Sequence, residues 1–260
     1  MDTFELAPSA HATRLFNGAD LSNWTTRDGQ PAGWKVADEV MHVVPKTGDI
    51  MSRQRFNDFY MHLEFRCPDM PEASGQAKGN SGVFLQGRYE IQVLDSYGLD
   101  IPGMGDCGAI YNQCAPLVNA CKPPTEWQSY DVFFRGPRDG DAGPRLTVLQ
   151  NGQVIHNNVE LPGVTGAAID EAIDEAGPLL LQDHGDLVCY RNIWVEELAL
   201  GSAGVVGRLG WRVYRSFSWP VLGPLRGGRP DVAVLKIALT IRYGYTLHPT
   251  SGSTEFNGED

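Results

Sequence analysis

No run of this chain approaches the roughly 18 to 20 apolar residues that a helix needs to cross a bilayer, so no membrane-spanning helix is expected. Basic residues are scarce: 21 Lys and Arg stand against 32 Asp and Glu, a formal net charge of -11. A surface of that sign repels phosphate backbones and anionic leaflets, which argues against nucleic acid as a partner. There is no Walker phosphate loop, no G-x-G-x-x-G behind a strand, no G-x-S-x-G elbow and no H-E-x-x-H. Nucleotide enzymes, serine hydrolases and zinc proteases of the usual kinds are thereby disfavoured. The first sixteen residues lack the basic and apolar regions of a secretion signal, so the chain as written reads as cytoplasmic. Its five cysteines form no C-x-x-C pair; Cys107, Cys114 and Cys121 sit seven apart. They read as buried thiols rather than a structural zinc site. One loop disulfide, such as Cys107 with Cys121, is the alternative and would imply an oxidising compartment.

Turn formers are abundant, with 30 Gly and 17 Pro in 260 residues, which favours short strands over long helices. Period-two alternation recurs at 60–65, 89–94, 130–134, 145–149 and 190–195, with further strands expected at 34–36 and 82–86. Asn151-Gly152, flanked by apolar runs, signals a tight hairpin because both central residues tolerate positive φ. Only 167–176 looks helical, a short acidic excursion. The fold class expected is all-β, a sandwich or jelly roll over residues 14–199. The last stretch differs: from 201 onward seven basic residues meet four acidic ones, giving a tail of +3 against a body of -14. Residues 200–260 read either as a small extra module or interaction tail, or as disordered or frame-shifted text without a selected fold. No function is placed there.

Three constellations could carry chemistry. In Arg88-Tyr89-Glu90-Ile91-Gln92-Val93-Leu94-Asp95, strand alternation sends Arg88, Glu90 and Gln92 to one face and the apolar set to the other. An acid, an amide and a guanidinium in one row suit a hydroxyl-rich ligand, although a solvated face would look the same. The second is Leu181-Gln182-Asp183-His184, an apolar strand ending in a polar tip. His184 is the natural proton carrier or metal ligand there, or else a hydrogen-bonded structural residue. The strand that follows offers Arg191 and Asn192, with the face that meets a groove left open. The third is the Gly- and Pro-rich loop around 103–127, whose Tyr111, Lys122 and Trp127 would form a binding rim, unless the loop is an irregular crossover.

Leu15-Phe16-Asn17-Gly18 with Asp20, Leu21 and Trp24, then Gly79-Asn80-Ser81-Gly82, Tyr89-Glu90-Ile91-Gln92-Val93-Leu94-Asp95, Gly108-Ala109-Ile110-Tyr111, Glu126-Trp127, Asn151-Gly152 and Arg191-Asn192-Ile193 resemble the 3-keto-disaccharide hydrolase family, also known as domain of unknown function 1080. The resemblance spans about 14–198. It implies a concanavalin- or laminarinase-like β jelly roll acting on a small carbohydrate, a glycoside oxidised to a ketone at C3. Family members are often exported by bacteria. The chemistry it implies is removal of the C2 proton, expulsion of the C1 aglycone from the enolate, and addition of water. That chemistry needs a base near C2, stabilisation for the enolate oxygen and a proton for the leaving group. On this reading Glu90 and His184 form the centre, as acid and base or as ligands of one divalent metal ion acting as a Lewis acid. Asp95, Gln92, Arg88 and Arg191 position the sugar or neutralise the enolate, and Tyr111, Lys122 and Trp127 form the rim.

Two other readings compete. A retaining glycosidase of laminarinase-like fold would bring two carboxylates about 5 Å apart along a strand, but Gln92 takes the middle position and Asp95 breaks the alternation. A non-catalytic carbohydrate-binding module would use the same fold without turnover; Glu90, Asp95 and His184 are more ionisable groups than stacking recognition requires.

Overall fold

The structure is a computed structural model, and residues 4–138 and 143–198 are described here. The expectations for the tail, 200–260, lie outside the described residues. Among the described residues, thirteen strands form two antiparallel sheets. The larger is ordered β11 (Gln153–Glu160), β10 (Arg145–Gln150), β9 (Gln128–Arg135), β6 (Phe59–Arg66), β13 (Cys189–Glu197), β4 (Val40–His42) and β3 (Lys35–Ala37), with β1 (Thr13–Arg14) also paired to β13. The smaller is β2 (Trp24–Thr26), β5 (Ile50–Phe56), β12 (Gly177–Leu181), β7 (Ser81–Leu85) and β8 (Tyr89–Val93). The protein is a β-sandwich of the jelly-roll kind, as the strand rhythm predicts.

The alternating residues explain which faces meet. Val83, Leu85, Tyr89, Ile91 and Val93 of the smaller sheet pack against Leu63, Phe65, Tyr130, Val132 and Tyr190 of the larger, all fully buried. Each such side chain contributes roughly 1.5 to 3 kcal/mol by leaving water. Two phenols cross the core and tie the sheets together: Tyr130 donates to the Gln92 carbonyl at 2.7 Å, and Tyr190 to Ser81 Oγ at 2.7 Å. The Asn151-Gly152 turn joins β10 to β11 with φ of 51° and 77°, the left-handed pair a two-residue hairpin requires.

The segment expected to be helical, 167–176, contains no helix. It is an excursion that the edge of the smaller sheet captures instead. Ile169 N–H donates to the Gly87 carbonyl and Thr165 N–H to that of Arg88, while Ala167 is held at a positive φ of 62°. Side-chain and sheet-edge bonds take the groups an isolated ten-residue helix would need, and so short a helix is marginal anyway.

Candidate functional site

The outer face of the smaller sheet is built by strand register. Glu90 on β8 stands opposite Phe84 on β7, and Gln92 opposite Gly82. Gln182, just past β12, donates its N–H to the Gly82 carbonyl at 3.0 Å and so extends the Gln92 row. Residues 108–111 add to the free edge of β8: Gly108 and Ala109 bond Gln92, and Tyr111 N–H donates to the Glu90 carbonyl at 3.1 Å. With Ile110 bridging Ile91, alternation puts Tyr111 on the same face as Glu90.

Glu90 is 4% exposed, and among the described residues its carboxyl group accepts no hydrogen bond. Burial, with the Asp49 charge added, pushes it up to about 8. Gly82 makes room for it. A Cβ there would lie 2.5 Å from Glu90 Oε1 and 2.9 Å from the Phe84 ring, so any side chain at 82 displaces the acid. Asp49 is itself tied down, by Asp183 N–H at 2.8 Å and Arg27 Nε at 2.8 Å.

The amides of this face are half satisfied in a consistent sense. Gln92 Nε2 donates to Gln76 Oε1 and to the Gly105 carbonyl, and Asn80 Nδ2 donates to Gln76 O and Oε1. Their nitrogens are used, yet Gln92 Oε1, Asn80 Oδ1 and Gln182 Oε1 are buried without a donor. Buried acceptors left unpaired cost about 1 to 3 kcal/mol each, which a hydroxyl-bearing ligand would recover.

The sequence-predicted residues do not all meet here. Glu90, Gln92 and Tyr111 come together. Arg88 does not join them: it precedes β8 in the turn, fully buried, and its guanidinium is spent on Asp170 and the Glu175 carbonyl, fastening the 165–176 excursion. Asp95 is held by Lys78 Nζ at 2.9 Å and by Tyr97 N–H, an anchor where the alternation breaks. His184 is exposed in the loop after β12, and no hydrogen bond or ion pair joins it to Glu90. The two residues expected to form the centre are therefore not bonded to each other.

Arg191, Lys122 and Trp127 belong to the other side of the sandwich. Arg191 Nε donates to Glu64 Oε2 at 2.8 Å on the outer face of the larger sheet, and its guanidinium stacks 4.3 Å from the Trp127 ring. Lys122 Nζ and the Arg191 guanidinium both lie over the Phe4 ring, at 5.1 and 5.0 Å. Arg191 and Asn192 also border a cavity of about 430 Å³ with Glu5, Arg14, Glu39 and Glu64. Core packing between the sheets separates this set from Glu90, which no local sequence pattern reveals. The sequence also gave no weight to Asp49 or Gln76, because each reaches the face from a distant loop.

Residues 11–196 match the family described as 3-keto-alpha-glucoside-1,2-lyase-like domain. The chain belongs to that family. Among solved structures it is similar to a Parabacteroides distasonis protein named a candidate glycosyl hydrolase, at 42% identity over 73% of this chain and 84% of that one, with a TM-score of 0.65. A second such protein from the same organism shares 22% identity over 73% and 94%, with a TM-score of 0.57, and shares the fold. No protein of curated function matches the chain.

Membership makes a glycosyl hydrolase-like enzyme of this 3-keto-alpha-glucoside-1,2-lyase-like chain, and the metal expected at Glu90 and His184 can be tested against its donors. Among the described residues no three His, Cys, Asp or Glu side chains stand together as a metal site. Asp49 and Asp95 already have partners. No chemical step is derived through a divalent ion.

Proposed function

We propose that this protein cleaves glycosides already oxidised at C3, by elimination across C1 and C2 followed by hydration, with Glu90 as the proton carrier. One observation supports this above others: a buried, unbonded carboxyl group raised to about 8 on a face whose amide oxygens lack donors. A base is most useful when its pKa lies near working pH, and a carboxylate of that strength suits a proton made acidic by the neighbouring ketone. Glu90 takes the C2 proton, the C2–H electrons become the enolate, and the enolate expels the C1 oxygen with its bonding pair. Glu90 returns that proton to the leaving oxygen, and water adds across the new C1–C2 double bond to complete net hydrolysis. The Gln92, Asn80 and Gln182 oxygens accept sugar hydroxyls, while the Tyr111 hydroxyl and the Gln182 amide are the donors on that face for the enolate oxygen.

A retaining glycosidase would need a second free carboxylate close by. Asp49 has both oxygens engaged and Asp95 is ion-paired, which disfavours that reading. The test is aglycone release from a 3-keto glucoside compared with its unoxidised parent, for the wild-type protein and Glu90→Gln. Release from the keto substrate alone, lost in the variant, supports the proposal; equal release from both substrates, or an unimpaired variant, overturns it.

A further inference from the structure

Opposite the Gln92 carbonyl, within the core, lies a second group of reactive side chains that the proposed chemistry does not use. Cys107 is fully buried, and Cys121, thirteen residues further along than the residue after it, is partly exposed. A single amide reaches both: Gln150 Nε2 lies 3.5 Å from Cys107 Sγ and 3.4 Å from Cys121 Sγ. The two thiols also interact side chain to side chain. Tyr130 OH stands 3.2 Å from Cys107 Sγ.

We infer that Cys107 and Cys121 are a redox-responsive pair that closes into a disulfide on exposure to a small-molecule disulfide. The reaction balances as two exchanges. The partly exposed Cys121 sulfur takes one half of the small disulfide, releasing one small thiol. The Cys107 thiolate then attacks the Cys121 sulfur, forming the internal S–S bond and expelling the second small thiol. Two protein thiols are oxidised and one small disulfide is reduced to two thiols. Cys67, Cys114 and Cys189 are free thiols as well, and what singles out Cys107 and Cys121 is the one Gln150 amide beside both sulfurs.

The bridge would close residues 107–121, the loop that carries Tyr111, whose N–H donates to the Glu90 carbonyl. Such a closure restricts mainly the unfolded chain. The thermal midpoint should therefore rise by ~5–10 °C on oxidation and return on reduction.

The decisive experiment incubates the full chain with oxidised glutathione, quenches with an alkylating agent under denaturing conditions, and maps disulfide-linked peptides by mass spectrometry. The expected product links the peptides containing Cys107 and Cys121 and is lighter by two hydrogens. Cys107→Ser should instead trap one glutathione on Cys121, and Cys121→Ser should leave Cys107 unmodified. Full alkylation of both thiols after oxidation, or a bridge from either one to Cys67, Cys114 or Cys189, would overturn the inference. Should a serine variant fail to fold, the wild-type map decides alone.

Discussion

Two buried glutamates, one on the outer face of each sheet, have opposite fates. Glu90 is almost covered and accepts no hydrogen bond among the described residues, and its carboxyl group is pushed up to about 8. Glu64 is fully buried, which alone would raise it too. Yet His62, Asn192, Arg191 and the Glu5 N–H bring it down to about 2. Burial raises the acid and partners decide where it settles. The Glu64 carboxyl group has donors on both oxygens, and it fixes the N-terminal segment over the larger sheet through Glu5 N–H at 2.7 Å. The Glu90 side is unfinished, and unfinished polar groups inside a fold are where a ligand completes the bonding.

The largest effect that would break this comparison is at Glu90 itself. Glu90→Gln should lower turnover of a 3-keto glucoside by at least ~10²-fold. The same change should stabilise the fold. A carboxyl group whose folded pKa is raised from 4.5 to about 8 costs stability that grows as pH rises between those values. At pH 7 the gain for the variant is about 3 kcal/mol by linkage, an upper estimate. Urea melts and initial rates on the same preparation check both halves. A variant that loses activity without gaining stability would show that Glu90 is satisfied after all. The wild-type rate should rise with pH through about 8 if the carboxylate is the base, and a falling limb there would instead make Glu90 the acid.

Next in size is Glu64→Ala. Removing one member of a buried ionic network takes the acceptor from Arg191 Nε and the Glu5 N–H and should cost ~3–5 kcal/mol of stability. Turnover per folded molecule should stay near wild type, since this face is not the proposed site. Equal loss of stability in Glu90→Ala and Glu64→Ala would erase the distinction.

The strand pattern foretold both sheets because alternation is a local signal: Tyr89, Ile91 and Val93 face the core as their period demands. It also placed Glu90 and Gln92 on one face. What it could not carry was which sheet a distant strand joins. Arg191 read as a residue that positions the sugar or neutralises the enolate, but β13 pairs with β6 in the larger sheet, and Glu64 claims the guanidinium. Gly82 was visible in Gly79-Asn80-Ser81-Gly82, yet its purpose, space for the Glu90 carboxyl, appears only when β7 and β8 are paired. Asp49 reaches the site from the start of β5 and has no signature near Glu90 in sequence.

A smaller effect lies in the pH dependence of the larger sheet. Burial lowers the His62 pKa, but the Asp131 carboxylate paired with its Nδ1 and the Glu64 carboxylate beside its Nε2 raise it above the usual value. A raised folded pKa contributes stability that is complete below about 6.5 and lost as pH climbs through the folded value. Glu64, held at about 2, contributes stability present above 4.5 and lost as pH falls toward 2. The Glu90→Gln background removes the competing slope of Glu90. In it, stability should peak between about pH 4.5 and 6.5, and His62→Gln should flatten the alkaline decline. An unchanged decline would assign it to another group.

The smallest effect sharpens the comparison most, because it concerns residues whose chemistry looks suited to sugar and whose position does not. Lys122 stands over Phe4, and Trp127 sits between the guanidinium groups of Arg66 and Arg191, at 4.8 and 4.3 Å. These contacts cover the larger sheet rather than rim the Glu90 face. An aromatic platform that stacks on substrate is worth about 0.5 to 1.5 kcal/mol beyond its buried area, so its removal from a site should depress kcat/KM by several-fold or more. Trp127→Leu and Lys122→Ala should instead leave kcat/KM for a 3-keto glucoside within about twofold while lowering the melting temperature slightly, since cation–π pairs at partly exposed positions contribute ~0.5–1 kcal/mol. Tyr111→Phe is the contrast on the other side: it keeps the ring and the backbone bond to Glu90 and removes only the hydroxyl. It should lower kcat with little change in stability. A drop in kcat/KM for Trp127→Leu as large as that for Tyr111→Phe would move the substrate to the larger sheet and reverse the assignment of the two faces.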